Sequence, residues 1–445
     1  MDSIFNFNQT YAGAFTRNGI SLPCTLSFPD HNIVFTIIRN NDIIQLNDNG
    51  SSDLSGYIST EKNIMNFKAF NAYQIADSIT WNTYSKEKVS VQSLIVSNEK
   101  NNIHQEVFAQ ANVVYDNLDL TGNFAVVDQK NIQDESFKIK RFFEEISFIK
   151  DNNGALTLQN TVSWKHQFSE INIFSVTSAP YFSFILNKAL PYQDFGPKVF
   201  RLAWFLQLLF GVRQAPTDLI LFDVPVQSIS EEKSVIPYYF FNKQLISQKM
   251  DAGPRRSFHP VYEIDKLIQE VPICYIKWEQ FTKEQKLICR LYFNEINSKE
   301  HIRDDRFKNF CAIIQGLEIF ESITKLPGVK GEMNRKLRNA VDITLETLLS
   351  GAFDIAFLHK LFEMLGDQRD HYQHLSKKLK FDFNERAEDM VAVNALLQTI
   401  IRYHLLKAIS FQDKKIAKII QRDISLFQAR LHKLQNEFSK DKRIQ

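Results

Sequence analysis

The change of texture along the chain constrains its fold most. From residue 5 to about 186 the sequence runs in short segments rich in β-branched and aromatic side chains, among them 33–38, 89–96 and 168–176. The last two alternate approximately with a period of two. Past residue 300 a single proline, Pro327, interrupts segments whose apolar positions recur mostly every three or four residues. A period of two sends alternate side chains to opposite faces of a sheet, whereas three-and-four spacing gathers them on one face of a helix. One uniform architecture is therefore excluded. The expected class is α+β: a β-rich N-terminal domain, sandwich or barrel-like, followed by a C-terminal all-α helical bundle.

Three regions follow from this reading: a β-rich domain over 1–190, a mixed connecting region over 191–300 that continues it, and a helical bundle over 301–445. Asn-Asp-Asn-Gly at 47–50 and Asp-Asn-Asn-Gly at 151–154 carry residues that tolerate the left-handed backbone of tight turns, so the strands should pair antiparallel. In the connecting region, 195–210 is apolar enough for a buried helix with Gly211 at its C-cap. Segments 218–225 and 237–241 read as further strands, and 251–256 as a loop. The bundle is expected to have five helices, over 306–323, 335–349, 354–365, 388–409 and 415–438, with a basic loop at 325–331. Gly366 and Asp367 read as a helix stop followed by an N-cap.

Composition narrows the class. Of 445 residues 44% are hydrophobic, which supplies packed cores and excludes disorder. Lys and Arg number 53 against 51 Asp and Glu, a net +2 that argues against indiscriminate nucleic-acid binding. The average hides a gradient: residues 401–445 hold 11 Lys/Arg and 4 Asp/Glu, a local +7, which leaves −5 for the rest. Cys24, Cys274, Cys289 and Cys311 form no C-x-x-C pair, so reduced, buried thiols and a cytoplasmic setting are expected. The polar start at 1–6 lacks the features of a secretory signal. The most apolar stretch, 199–212, carries Arg201 and Gln207 and falls short of the roughly 20 residues a bilayer demands, so no membrane span is expected. Phosphate-loop, dinucleotide-binding, zinc-protease and nucleophile-elbow motifs are all missing. Their absence shifts weight towards chemistry that needs few residues and no bound cofactor.

One constellation suits such chemistry, Gly-Asp-Gln-Arg-Asp-His-Tyr-Gln-His at 366–374, with Arg369 and His374 five residues apart. At about 100° per residue the two would point some 140° apart on an ideal helix, so they share a site only through a bend, a helix end or a second subunit. The bland alternative is a polar helix start at the bundle surface, with His371 and His374 solvated or bonded to nearby carboxylates.

The C-terminal third resembles an ApeA-like HEPN domain. The residues that carry the likeness are the apolar helix 310–318 ending in Leu317-Glu318, the R-x4-H of Arg369 and His374, and the leucine-rich segment 396–406; the β-rich first half is similar to the N-terminal domain accompanying this HEPN type. The resemblance implies a metal-independent endoribonuclease of bacterial anti-phage, abortive-infection systems. It also implies a homodimer through the HEPN domain, cleavage of cellular RNA such as tRNA, and an N-terminal domain that senses a phage protein. Arg369 and His374 would be catalytic, assisted by Asp370 and Glu318. The chemistry is coherent: the His374 imidazole can move a proton at the 2′-OH, and Arg369, always charged, can hold phosphate bidentately. Products would be a 2′,3′-cyclic phosphate and a 5′-OH.

The chain departs from the family at Asp370, where Asn is usual. Its carboxylate adds negative charge where phosphate must approach, or pairs with an arginine while the site is empty. Glu318 faces the same site or forms a structural ion pair. His371 and Tyr372 stack a base or lie partly buried at the dimer seam. Lys414 and Lys418 contact phosphate, or form with Lys415, Arg422 and Arg430 the solvated face of a helix whose other side is Ile416, Ile419, Ile420 and Phe427. A function of another class also stays open: a non-catalytic dimerising protein whose β domain binds a protein or carbohydrate.

Overall fold

The computed structural model describes residues 4–17, 20–40, 52–61, 63–80, 84–98, 103, 106–118, 125–128, 138–141, 145–167, 173–226, 235–250, 270–298, 303–320, 331–374, 383 and 386–440. Two compact units emerge, one of residues 1–206 and 212–265, the other of 207–211 and 266–445. Expected features at 47–50, 168–172, 251–256 and 325–330 lie outside the described residues.

The strands of the first unit are β1 (Tyr11–Arg17), β2 (Ile20–Ser27), β3 (Ile33–Asn40), β4 (Ser52–Ser59), β5 (Ile64–Thr80), β6 (Tyr84–Val91), β7 (Ser93–Ser97), β8 (Val107–Tyr115), β9 (Ala125–Asp128), β10 (Lys138–Arg141), β11 (Glu145–Asp151), β12 (Gly154–Gln167), β13 (Ile173–Pro191), β14 (Pro216–Phe222) and β15 (Tyr238–Asn242). Thirteen form one antiparallel sheet in the order β11-β12-β13-β8-β14-β15-β7-β5-β4-β1-β2-β3-β6, while β9 pairs with β10. The long β5 closes part of this sheet. Its first half pairs with β4, from Ser59↔Ile64 to Ser52↔Ala72, and its second half with β6, from Tyr73↔Ser90 to Thr80↔Tyr84. Six strands, β1, β2, β3, β6, β5 and β4, thereby form a closed ring without free edges, and the other seven extend from it as an open sheet. Asn71 sits where β5 changes partners. It holds φ 53°, a conformation Asn tolerates better than most side chains, and its amide donates to Gln92 Oε1 at 3.0 Å. Gln92 is also the residue that divides the expected strand 89–96 into β6 and β7.

Alternate residues fill the ring. Phe15, Leu26, Phe35, Ile58, Phe67 and Leu94 are buried in one cluster, with the Phe35 and Phe67 rings stacked at 4.8 Å. The turn expected at 151–154 joins β11 to β12: Asp151 Oδ1 accepts from the Asn153 and Gly154 amides at 2.7 and 3.2 Å. Gly154 is at φ 145°, and a Cβ there would come within 2.1 Å of the Ile185 carbonyl oxygen on β13. The expected buried helix is α1 (Phe195–Phe210), followed by Gly211 at φ 71°. Tyr115 Oη donates to the Val199 carbonyl at 2.8 Å. A short α2 (Lys243–Met250) follows β15.

The second unit is helical and starts near 266, not near 300. It contains α3 (Val271–Glu279), α4 (Lys283–Asn297), α5 (Arg303–Gly316), α6 (Glu332–Asn339), α7 (Ile343–Ser350), α8 (Ile355–His374), α9 (Ala387–Ala408) and α10 (Asp413–Lys440). The reading of 191–300 as a continuation of the β-rich domain is therefore corrected over its last third. A capping box of Thr282 and Gln285 starts α4, whose Cys289, Tyr292 and Phe293 are buried. Three helix boundaries also change. The helix expected over 306–323 is α5, which ends at Gly316 and passes into a 3-10 turn, Leu317–Ile319. The expected 335–349 helix is two, because Asp342 leaves helical geometry and its Oδ1 accepts from the Leu345 amide at 3.0 Å, capping α7. No stop occurs at Gly366. That residue is buried inside the continuous α8, where a Cβ would meet Asn334 Oδ1 of α6 at 2.3 Å, so its lack of a side chain serves close approach. At the centre, α9 is buried on nearly every face through Val393, Leu396, Leu397, Ile400, Ile401 and Leu405.

Candidate functional site

The last turns of α8 carry the candidate residues. Leu358, Leu361, Phe362, Leu365 and Gln368 anchor this helix in the core, which fixes the direction in which the following residues point. Arg369 is largely covered, with 15% of its side chain exposed, and its Nη1 lies 2.9 Å from Asp370 Oδ1. Of the two readings of Asp370, the pairing with an arginine is the one formed. His374 is exposed at the final residue of the helix. Since α8 is unbroken, Arg369 and His374 diverge by about 140°, and only the helix end beside His374 eases that divergence.

Helix α5 supplies the neighbouring surface. Phe307 packs its ring 6.0 Å from that of half-buried Tyr372, Lys308 Nζ lies 5.2 Å from the centre of the same ring, and the His371 ring is 6.3 Å away. Lys308 also pairs with Asp305 at 2.9 Å. One turn further along, the Cys311 thiol is pushed above its ordinary range by burial, while Arg369 draws it down and Asp370 raises it. The thiol therefore lies within the field of the Arg369–Asp370 pair. Sequence reading missed Lys308, since a solvated helix lysine carries no mark of the ring it covers.

Other candidates lie elsewhere. Glu318, in the 3-10 turn about 10 Å along the α5 axis from Cys311, pairs with Lys336 of α6, so its structural reading is the one formed. Lys414 and Lys418 are exposed near the start of α10. The α9–α10 hairpin is antiparallel, with Arg402 bonded to Asp423 towards one end and Arg386 to Glu437 at the other. Gln368 accepts from the Phe383 amide at 3.4 Å, which puts the Arg369 end of α8 by the Arg386 end of the hairpin. Lys414 and Lys418 are about 30 Å along α10 from Glu437, so they do not join Arg369. Within the basic tail, Lys415 pairs with Glu270 at 2.5 Å and Arg430 with Glu388 at 2.7 Å.

A second polar cluster, unnoticed in the sequence, links the start of α7 to α9. Asp342 accepts from Tyr403 Oη at 2.6 Å and from Lys407 Nζ at 2.5 Å. Burial alone would raise its pKa, but bonds from Lys407, Tyr403 and the Leu345 amide together hold it below the ordinary carboxylate value. His404 is fully buried with Nε2 2.5 Å from the Ala340 carbonyl oxygen, and burial pushes its pKa down. Among the described residues, no group of three His, Cys, Asp or Glu is arranged to hold a metal ion, and no helix is long and apolar enough to cross a membrane.

Fold and site together define an α+β protein with a partly closed antiparallel sheet in one unit and, in the other, a helical bundle with a largely covered arginine and an exposed histidine near the end of one helix. No family model, no curated protein and no solved structure matches the chain.

Proposed function

We propose that the helical unit is a metal-independent endoribonuclease in which Arg369 and His374 act on the scissile phosphate. The observation that carries this reading is the disposition of α8: a largely covered arginine paired with its neighbour, with an exposed histidine at the end of the same helix. His374 moves the proton at the attacking 2′-OH or the leaving 5′ oxygen. Arg369 stabilises charge on the non-bridging oxygens, leaving a 2′,3′-cyclic phosphate and a 5′-OH. The angular divergence supports a homodimer, in which Arg369 of one protomer works beside His374 of the partner subunit. RNA phosphate displaces Asp370 from Arg369, and Lys308 with Tyr372 forms the adjoining surface for the strand. The β-rich unit senses a phage component and releases cleavage of cellular RNA, tRNA foremost; this defensive role rests on the family resemblance alone.

The test uses labelled tRNA and total RNA in EDTA with the wild-type chain, Arg369→Ala and His374→Ala, alongside toxicity on co-expression with candidate phage triggers. Each substitution should lower cleavage by about 10²–10⁴-fold and relieve toxicity. Unaltered cleavage in both variants rejects the site, and cleavage abolished by EDTA rejects the metal-free chemistry.

A further inference from the structure

We infer that the first unit carries a binding site for a neutral saccharide, in the cavity where the segment 4–11 crosses the ends of β4, β5, β7 and β15. This inference stands on the first unit alone and does not use the ribonuclease reading. The cavity is an open cleft of about 350 Å³, within the range of small-molecule sites and suited to one or two sugar rings. Its floor is apolar and aromatic: Tyr11 and Met65 are buried, and Tyr239 is half-buried. Its rim is formed by carboxamides, those of Gln9, Asn63 and Asn98.

Both walls are built in advance. Tyr11 Oη accepts from the Asn6 amide at 2.6 Å and donates to the Asn6 carbonyl at 3.2 Å, tying the 4–11 segment to β1. Behind it, the Phe5 ring packs 5.5 Å from Phe28 and 5.1 Å from Phe241. Thr60 Oγ1 donates to the Asn63 carbonyl at 2.8 Å and accepts from its backbone amide at 3.1 Å, which ties the end of β4 to the start of β5.

The polar groups that face this space match a sugar's chemistry. Among the described residues, the side-chain amides of Asn63 and Asn98 and the Tyr239 hydroxyl have no protein partner. A carboxamide offers a donor and an acceptor side by side, which suits vicinal hydroxyls, and a tyrosine face suits the C–H face of a pyranose ring. Burial raises the Tyr239 pKa, so its phenol stays protonated and able to donate. Glu61 is the charged residue among the described lining, and a carboxylate there disfavours phosphorylated, sulfated or uronate sugars.

Ligand-observed saturation-transfer NMR on the full chain tests this, with glucose, galactose, mannose, N-acetylglucosamine and their common disaccharides as neutral probes. Glucose 6-phosphate and adenosine serve as competing chemistries. At least one neutral sugar should show transfer at its ring C–H protons, with affinity falling about tenfold in Asn98→Ala and several-fold in Tyr239→Phe. Both positions are at the cavity surface, and an unchanged melting temperature confirms that the variants fold. The inference is overturned if no neutral sugar binds at tens of millimolar, if only glucose 6-phosphate or adenosine binds, or if both variants bind as the wild type does.

Discussion

Replacing Arg402 by methionine probes what fastens the central helix of the bundle. The guanidinium is buried: Nε and Nη2 donate to the Leu208 carbonyl at 3.1 and 2.9 Å, Nη2 donates to that of Leu209 at 3.2 Å, and Nη1 meets both oxygens of Asp423 at 3.0 and 3.1 Å. Leu208 and Leu209 end a helix, where the last carbonyls have no partner within the helix itself. The methionine stem preserves packing but leaves those carbonyls and the mostly covered Asp423 carboxylate without the cation. Breaking a buried pair costs about 3–5 kcal/mol, and an orphaned carbonyl about 1–3 kcal/mol, both reduced where water enters; about 4 kcal/mol in total is expected. Asp423→Ala, which leaves Arg402 on the carbonyls, should cost about 2 kcal/mol. The double variant should cost little more than Arg402→Met alone, a coupling of about 2 kcal/mol. Because a chain of two units need not unfold in one step, the assay is amide hydrogen exchange of the α9 peptide 398–406, where 4 kcal/mol reads as about 10³-fold faster exchange. Acceleration below tenfold, or additive effects in the double variant, would refute the reasoning.

The remaining predictions concern buried titratable groups. His404 has a folded pKa below the ordinary value of about 6.5, so the stability it contributes is complete above that pH and is lost as the pH falls from 6.5 towards the folded value. Melting temperatures measured from pH 7.5 to 5 should fall more steeply in the wild type than in His404→Gln, and parallel curves would contradict the assignment. All four cysteines are buried, with burial pushing the Cys24 thiol up to about 12 and Cys274 to about 11. Iodoacetamide at pH 8 should therefore label the native chain at none of them within an hour and the denatured chain at all four, as counted by mass spectrometry. Rapid native labelling of any one would show that its burial is wrongly assigned.

What the sequence revealed was local, and what it concealed was tertiary. Segment 33–38 lies within β3 and the Asp-Asn-Asn-Gly turn gave the β11–β12 hairpin, since both depend on neighbours in the chain, whereas the alternating segment 89–96 is two strands broken at Gln92. The closure of the ring depends on β5 changing partners at Asn71, which no period records. Gly366 was ambiguous for a physical reason: a missing Cβ permits either a helix end or a close crossing, and only the position of Asn334 decides between them. Charge behaved in the same way. The +7 of residues 401–445 was counted along the chain, yet Arg402, Lys407, Lys415 and Arg430 are each engaged by a carboxylate, and Lys414 and Lys418 sit about 30 Å along α10 from Glu437. Among the described residues, the cations beside the candidate site come from α5 and α8, with Lys308 paired to Asp305 and Arg369 to Asp370. A phosphate arriving there must compete with two carboxylates held on the same two helices. On the proposed reading, phosphate displaces Asp370 from Arg369 while the exposed Lys308–Asp305 pair opposes it little, so the cost of reaching the site falls on the more covered Arg369–Asp370 pair.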